Sequence, residues 1–249
     1  MSRARISLHC LARTWLVGAA MTTRGMQHLG LLYALEPGLK QLYPDPEHLA
    51  AARLRYLDHV NTHPFMAPLF TGMLLALEKQ VAAGTLAPQA LHMLKGTTAT
   101  TLSALGDSFF SGTVLVFWSL TTILLLLSGQ TLPAAAWTML LFFMQLGFRV
   151  WSFYLGLRQG LPALQYIRQL DFINWGDRLK MVNALLLAIL LWRIAPFRME
   201  EGLSQEFFWS LLCLGSAGFL IARVHVPRLL LAGLLFSVLL IGDALRLLT

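Results

Sequence analysis

Charged residues are scarce in this sequence of 249 residues. Only 12% of the residues are Asp, Glu, Lys or Arg, whereas 57% are hydrophobic. A soluble domain carries about a quarter charged residues, so this chain has too little polar surface to cover a globule in water. The composition therefore argues against an ordinary soluble fold and predicts a membrane protein.

Cysteine is also rare. Cys10 lies in an amphipathic stretch and Cys213 in a distant apolar run, and no Cys-x-x-Cys spacing occurs. We expect two buried thiols without a disulfide, and we expect neither a metal site nor a cofactor.

Acidic residues are fewer than basic ones, which gives a net charge of +7. The basic residues flank apolar runs instead of forming a single patch, so the lipid bilayer and its anionic headgroups explain them better than nucleic acid does. We predict no nucleic-acid partner.

The N-terminal segment lacks the continuous apolar core of a cleavable signal peptide, because His9 and Arg13 interrupt it. As a helix it would have an apolar face and a basic face. The apolar face holds Leu8, Leu11, Ala12, Trp15 and Ala19, and the basic face holds Arg5, His9 and Arg13. This pattern predicts an interfacial helix lying on the membrane, with a globular surface helix as the alternative.

Polar and apolar residues mix before residue 108, and long apolar runs dominate after it. We predict an all-α polytopic membrane protein, with residues 1–108 forming amphipathic helices and a re-entrant or broken segment, and residues 109–249 forming the membrane-spanning region. In the first region we expect helices from Asp45-Pro46 to about Asn61 and over 88–94, with a re-entrant or partly buried arm over 64–80 between them. About five spans are predicted in the second region, at 109–127, 132–157, 181–197, 207–222 and 229–248.

The loop at 158–180 and the loop at 223–228 are rich in arginine, whereas acidic residues follow the third span. By the positive-inside rule, we expect a cytoplasmic N-terminus and a C-terminus on the opposite side of the membrane.

The segment at 106–112, GDSFFSG, is compatible with two readings: the nucleophile turn of a serine esterase, or a bend beside a membrane pathway. An esterase of this type needs an Asp-x-x-His after the serine, but the one such motif lies earlier, at 45–48, and His225 is the only later histidine. These observations argue against catalysis by Ser108. For Asp107, two roles stay open: capping the following helix, or accepting hydrogen bonds from a polar solute such as a sugar.

Several stretches together resemble one family, the mannose/fructose/sorbose-type phosphotransferase system (PTS) subunit IID. They are MQHLG at 26–30, PGLKQLYPD at 37–45, YLDHVNTHPFMAP with GMLLALEKQ at 56–80, GDSFFSGTV at 106–114, and Arg149 followed by Gly156 and Gly160.

The resemblance implies a non-catalytic permease subunit of the bacterial inner membrane. It would form a hetero-oligomer with membrane subunit IIC for hexose uptake, while subunits IIA and IIB relay the phosphate. It also implies that His63 is a polar contact or part of a turn, not a phosphohistidine.

Polar residues at the ends of the broken apolar segments are candidates for sugar binding. They are Thr22, Arg24, Gln27, Asn61, Thr62, His63, Asp107 and Ser108. For Asn61 and Thr62, ordinary turn chemistry before Pro64 is the alternative. Arg149, inside a predicted span, requires a carboxylate, a carbonyl or water; Asp107, Asp171 and the IIC subunit are candidate partners.

The resemblance has departures. Residues 21–24 read MTTR where family members carry asparagine and an aromatic ring, and Ser108 replaces a proline. The alternative function is therefore a degenerate IID-like membrane scaffold that binds partner subunits without moving sugar.

Overall fold

The structure, a computed structural model, describes residues 3–194. Within that range the chain is helical, and its only β-type pairings are isolated bridges from Met26 to Thr22 and Val60. The helices are α1 (Arg3–Arg13), α2 (His28–Leu42), α3 (Pro46–Leu54), α4 (Ala67–Ala82), α5 (Pro88–Gly106), α6 (Leu115–Leu127), α7 (Thr131–Gln159), α8 (Ala163–Gln169) and α9 (Phe172–Ile194), with a 3₁₀ turn at Thr14–Leu16 and a π-helical segment at Asp107–Val114.

Helix α1 packs on α2 through Cys10 and Leu11, both buried, whereas Leu8 and Trp15 are exposed. Cys10 is a free thiol, as predicted, and burial raises its pKa to about 11. The exposed apolar residues suit a membrane surface, and the interfacial position of α1 stays a prediction.

Helix α3 begins as predicted, because the Asp45 carboxylate accepts a hydrogen bond from the His48 amide at 2.9 Å. The expected continuation to Asn61 is wrong, since α3 ends at Leu54. Beyond that point the chain turns so that Val60 can pair with the 22–26 turn, where the Gln27 amide donates to the Val60 carbonyl at 2.9 Å.

Helices α4 and α7 form the centre of the fold. Gly72 and Gly156 lie at their crossing: a β-carbon on Gly72 would collide with the Phe153 carbonyl oxygen, and one on Gly156 with the Leu69 carbonyl oxygen. The two backbones therefore touch, an arrangement that small residues permit in membrane helices. The predicted arm at 64–80 is thus a core helix, buried along most of its length.

The helix expected over 88–94 is much longer. Residues from Pro88 to Leu127 form one helical segment of 40 residues through α5, the π-helical segment and α6. Helices α6 and α7 then pair as a hairpin, in which the Trp137 indole donates to the Thr121 hydroxyl at 2.7 Å.

Among residues 3–194, two helical segments are long and apolar enough to cross a bilayer: Pro88–Leu127 and Thr131–Gln159. The second agrees with the span predicted at 132–157, and the first contains the span predicted at 109–127. The predicted span at 181–197 overlaps α9, which is not one of these two segments, and its last three residues lie outside the described range. The spans at 207–222 and 229–248, with Cys213 and His225, lie outside the described residues. The compact unit described ends at Leu191, and the division near residue 108 stays a prediction.

Candidate functional site

The loop at 61–64 is held by a buried glutamine. The Gln27 side chain donates to the Thr62 carbonyl at 2.9 Å and accepts from the Thr62 amide at 3.0 Å. Both residues are buried, so water does not compete for these hydrogen bonds. The hydrogen bonds between Gln27 and Thr62 therefore hold this loop in place. Asn61, the first residue of the loop, is exposed.

His63 connects the loop to the π-helical segment. Its Nδ1 accepts from the Phe65 amide at 3.2 Å, so the proton of the neutral ring belongs on Nε2, which donates to the Ser111 hydroxyl at 2.9 Å. The ring also stacks on Phe110, with centroids 5.7 Å apart. Burial lowers the pKa of His63, the Asp107 charge opposes that shift, and the Arg149 charge adds to it. The imidazole is therefore neutral at pH 7.

The expected bend at Gly106 is wrong, because the helix continues through this residue. A β-carbon at Gly106 would collide with Cβ and Cγ of His63 and would lie 2.9 Å from its Nδ1. The glycine therefore allows the 61–64 loop to pack closely against the helix, and it does not form a turn. The capping role considered for Asp107 is likewise wrong, because Asp107 lies inside the helical segment and its carboxylate accepts from the Ser103 hydroxyl at 3.4 Å.

The π-helical geometry is stabilised by side chains. The Thr113 hydroxyl donates to the Ser108 carbonyl five residues earlier, at 2.9 Å. Asn183 of α9 donates to the Thr113 carbonyl at 3.0 Å. Such segments are uncommon inside helices and frequently mark functional sites.

Arg149 joins three distant segments. Its guanidinium donates to the carbonyl oxygens of Pro64, at 3.0 Å, and Thr14, at 3.4 Å, and it stacks over the Trp15 ring at 4.0 Å. Of the partners expected for Arg149, the structure thus shows carbonyl groups. The suggested carboxylates bind elsewhere: Asp107 accepts from Ser103, and Asp171 accepts from Asn174.

The eight predicted site residues fall into three groups. Gln27, Asn61, Thr62, His63 and Asp107 surround the junction of the 61–64 loop and the π-helical segment. Thr22 and Arg24 belong to the neighbouring 22–26 turn, where the Thr22 hydroxyl accepts from the Gly25 amide at 3.0 Å. Ser108 belongs to the π-helical segment but lines a groove beside Leu105 and Phe109.

Sequence reasoning missed a buried network centred on Glu78, whose side chain is fully buried. Tyr43 and Tyr56 donate hydroxyl hydrogens to its carboxylate at 2.7 Å each, and Arg55 donates at 2.6 and 3.1 Å. Burial and the Glu78 charge raise the pKa of Tyr56. The network fastens the segment after α3 to the core helix α4. A glutamate within the apolar run of α4 was the available sequence signal.

Among residues 3–194 no group of three or more His, Cys, Asp or Glu side chains could hold a metal ion. The junction instead offers hydrogen-bonding side chains, some buried and neutral and others exposed. Within residues 3–194, no hydrogen bond joins the Ser108 hydroxyl to a histidine or a carboxylate.

Comparisons with known proteins agree on one family. The model for the PTS system mannose/fructose/sorbose family IID component matches residues 4–194. The PTS system mannose-specific EIID component of Escherichia coli strain K12 is 30% identical over 142 residues, which are 56% of this chain and 50% of that protein. The fructose permease IID component of Bacillus subtilis strain 168 is 29% identical over 162 residues, 64% of this chain and 55% of that protein. The chain thus spans about half the length of the curated relatives it matches.

Two solved structures share the fold. One, described as a membrane protein, has a TM-score of 0.76 at 22% identity, with 98% of this chain and 97% of that chain covered. The other is a chain from the complex of the mannose transporter ManYZ with microcin E492, with a TM-score of 0.58 at 22% identity and the same coverage.

Proposed function

We infer the function from one premise: this chain belongs to the IID components of the mannose/fructose/sorbose PTS family. We propose that it is the IID subunit of a bacterial inner-membrane permease and forms the sugar translocation unit with a IIC subunit. The structural likeness to a chain of a mannose transporter supports this proposal at the level of fold. Phosphoryl transfer is assigned to IIA and IIB, so this subunit is non-catalytic.

The observation that carries the proposal is the junction of the 61–64 loop with the π-helical segment. Two irregular backbone elements meet there beside helices that can span a membrane, and irregular backbone at membrane depth is tolerated where it is enclosed by protein or lines a cavity. Asn61 and Asp107 are exposed at this junction, and their side chains offer an amide and a carboxylate to sugar hydroxyl groups.

The geometry suggests how binding and movement are coupled. The α4–α7 pair is locked by backbone contact at Gly72 and Gly156, which suits a rigid scaffold. The 61–64 loop touches the π-helical segment through the His63–Ser111 hydrogen bond. The loop itself is held to the scaffold, because Arg149 of α7 donates to the Pro64 carbonyl. We propose that the π-helical segment moves against the scaffold during alternating access and meets it at the His63–Ser111 contact. The cytoplasmic N-terminus and periplasmic C-terminus belong to the same proposal.

The test is hexose uptake driven by phosphoenolpyruvate in cells that lack only this chain, complemented by variants. Restoring the chain should restore uptake, and Asp107→Asn should reduce it about tenfold, the loss expected for one charge-assisted hydrogen bond. Asp177→Asn is the matched control, because Asp177 is an exposed carboxylate that pairs with Lys180. Unchanged uptake of every hexose without the chain would disprove the transport function.

A membrane scaffold without sugar transport is the second candidate, and residues 21–24 favour it. The Thr22 hydroxyl is occupied by the Gly25 amide, and no aromatic ring is present in this turn. Calorimetric titration of the purified complex with IIC separates the two functions. A permease binds a hexose saturably, whereas a scaffold gives no saturable heat.

A further inference from the structure

An apolar groove lies between the helix that begins at α5 and the α8–α9 region, and the two sides meet where Phe109 stacks on Phe172, with centroids 4.4 Å apart. Its volume is about 770 Å³, within the range of about 300–1,000 Å³ typical of ligand sites. One wall comes from α5 and the π-helical segment, between Thr101 and Ser108, and at 1.5 Å per residue it is about 10 Å long. Leu164, Ile167 and Phe172 form the other wall. The groove therefore has the volume and the apolar lining to hold a hydrocarbon chain.

The length of α7 leads us to expect the groove at the depth of the lipid headgroups. Helix α7 has 29 residues, a length of about 44 Å, which exceeds the roughly 30 Å of hydrocarbon in a bilayer. Helix α8 begins four residues after the end of α7. Its residues thus belong to the interface and not to the bilayer centre.

Two opposite charges line the same groove, Arg168 and Asp171. Within residues 3–194 Arg168 has neither a hydrogen-bond partner nor an ion-pair partner for its guanidinium. Asp171 accepts hydrogen bonds from the Asn174 amide at 2.9 and 2.8 Å, which leaves lone pairs on both carboxylate oxygens. The described structure therefore presents a cation and an anion side by side without an ion pair between them.

We propose that this groove binds a zwitterionic phospholipid with a primary amine in its headgroup, of the phosphatidylethanolamine class. One acyl chain lies between the two walls. The phosphate binds the Arg168 guanidinium, and the ammonium binds the Asp171 carboxylate. The bound lipid fills the gap between the long membrane helix and the start of α9. The groove adjoins the junction, because the Phe110 ring contacts both His63 and Phe172. The proposed headgroup contacts at Arg168 and Asp171 do not depend on sugar transport.

The paired charges select this class among lipids. An anionic lipid without an amine satisfies Arg168 but places its negative headgroup beside Asp171. A choline headgroup carries no N–H donor for the carboxylate. A headgroup with both a phosphate and an ammonium forms a charge-assisted hydrogen bond with each residue. A serine headgroup has both groups but adds a carboxylate, which Asp171 would repel.

Native mass spectrometry of the full-length protein, titrated with phosphatidylethanolamine or phosphatidylglycerol, tests the proposal. Arg168→Gln should lower the affinity for both lipids about tenfold, because one charge-assisted hydrogen bond is lost. Asp171→Asn should abolish the preference for phosphatidylethanolamine while leaving phosphatidylglycerol bound. Asn tolerates the positive φ of 53° at this position, so the backbone is preserved.

Two further variants complete the design. Ala104→Phe fills the groove from α5 and should remove both lipids, whereas Arg158→Gln, with the same loss of charge outside the groove, should change neither. Equal binding of the two lipids by the unmodified protein overturns the proposal, as does binding that Ala104→Phe leaves intact. If Ala104→Phe instead abolishes association with a co-expressed IIC subunit and leaves lipid binding unchanged, the groove is a protein interface and the proposal is wrong.

Discussion

Gly106 shows how one residue can be identified from its motif while its role is mistaken. Glycine before aspartate is ordinary turn chemistry, and the sequence predicted a bend. In the structure Gly106 is helical, and the space beside its α-carbon is taken by the His63 ring. Glycine is needed here because of His63, which is 43 positions away in sequence, so no local sequence pattern could have indicated it.

The first prediction is that Gly106→Ala displaces His63. The added methyl group would overlap Cβ and Cγ of the His63 side chain, and overpacking of this kind lowers the free energy of unfolding by about 1–3 kcal/mol. We expect a lower thermal unfolding midpoint in detergent and loss of sugar uptake. Gly96→Ala, on the same helix and with nothing within 4 Å of the new carbon, is the control and should be neutral or stabilising. An unchanged midpoint for Gly106→Ala would contradict the role assigned to this glycine.

At the scale of elements, local signals predicted the parts of helices that local forces decide. The start of α3 followed from Asp45-Pro46, and α7 followed from its continuous apolar run. The end of α3 and the continuous helix from Pro88 to Leu127 could not be predicted in this way. After α3 ends, Val60 pairs with the 22–26 turn, and the long helix includes Gly106, against which the 61–64 loop packs. Both contacts join residues that are far apart in sequence.

The α4–α7 crossing gives the second prediction. Gly72→Ala or Gly156→Ala places a methyl group against the facing backbone, where the next contacts, to the amide nitrogens of Leu157 and Met73, lie at 2.8 and 2.9 Å. Each variant should lower stability by about 1–3 kcal/mol, since the helices must separate. The double variant should cost less than the sum, because the first separation makes room for the second methyl group.

Unfolding of the purified protein in detergent by heat or denaturant measures these differences. Gly147→Ala is the control on α7, with nothing within 4 Å of its new carbon. Strictly additive losses for Gly72→Ala and Gly156→Ala would show that the two glycines do not share one contact.

At the scale of the whole molecule, Arg149 binds together segments that lie 85 and 135 positions away in sequence. The sequence marked this residue as one that needs a partner, because a cation inside an apolar run is costly. It could not identify the partners, since carbonyl groups occur at every residue and carry no signal in sequence. The structure gives them as Pro64 and Thr14, and the Trp15 ring covers the guanidinium.

Arg149→Lys is the third prediction, because it keeps the charge but removes the planar fork that reaches two carbonyl groups at once. An ammonium group can bind one of the carbonyls, and the N-terminal 3₁₀ turn should then detach from α7. We expect faster proteolysis within residues 13–17 and reduced sugar uptake, with the α4–α7 core still resistant. Arg158→Lys, a change at an exposed arginine on the same helix, should alter neither property. If the Lys variant is digested and transports like the unmodified protein, the connection through Arg149 contributes nothing to the assembly of these three segments.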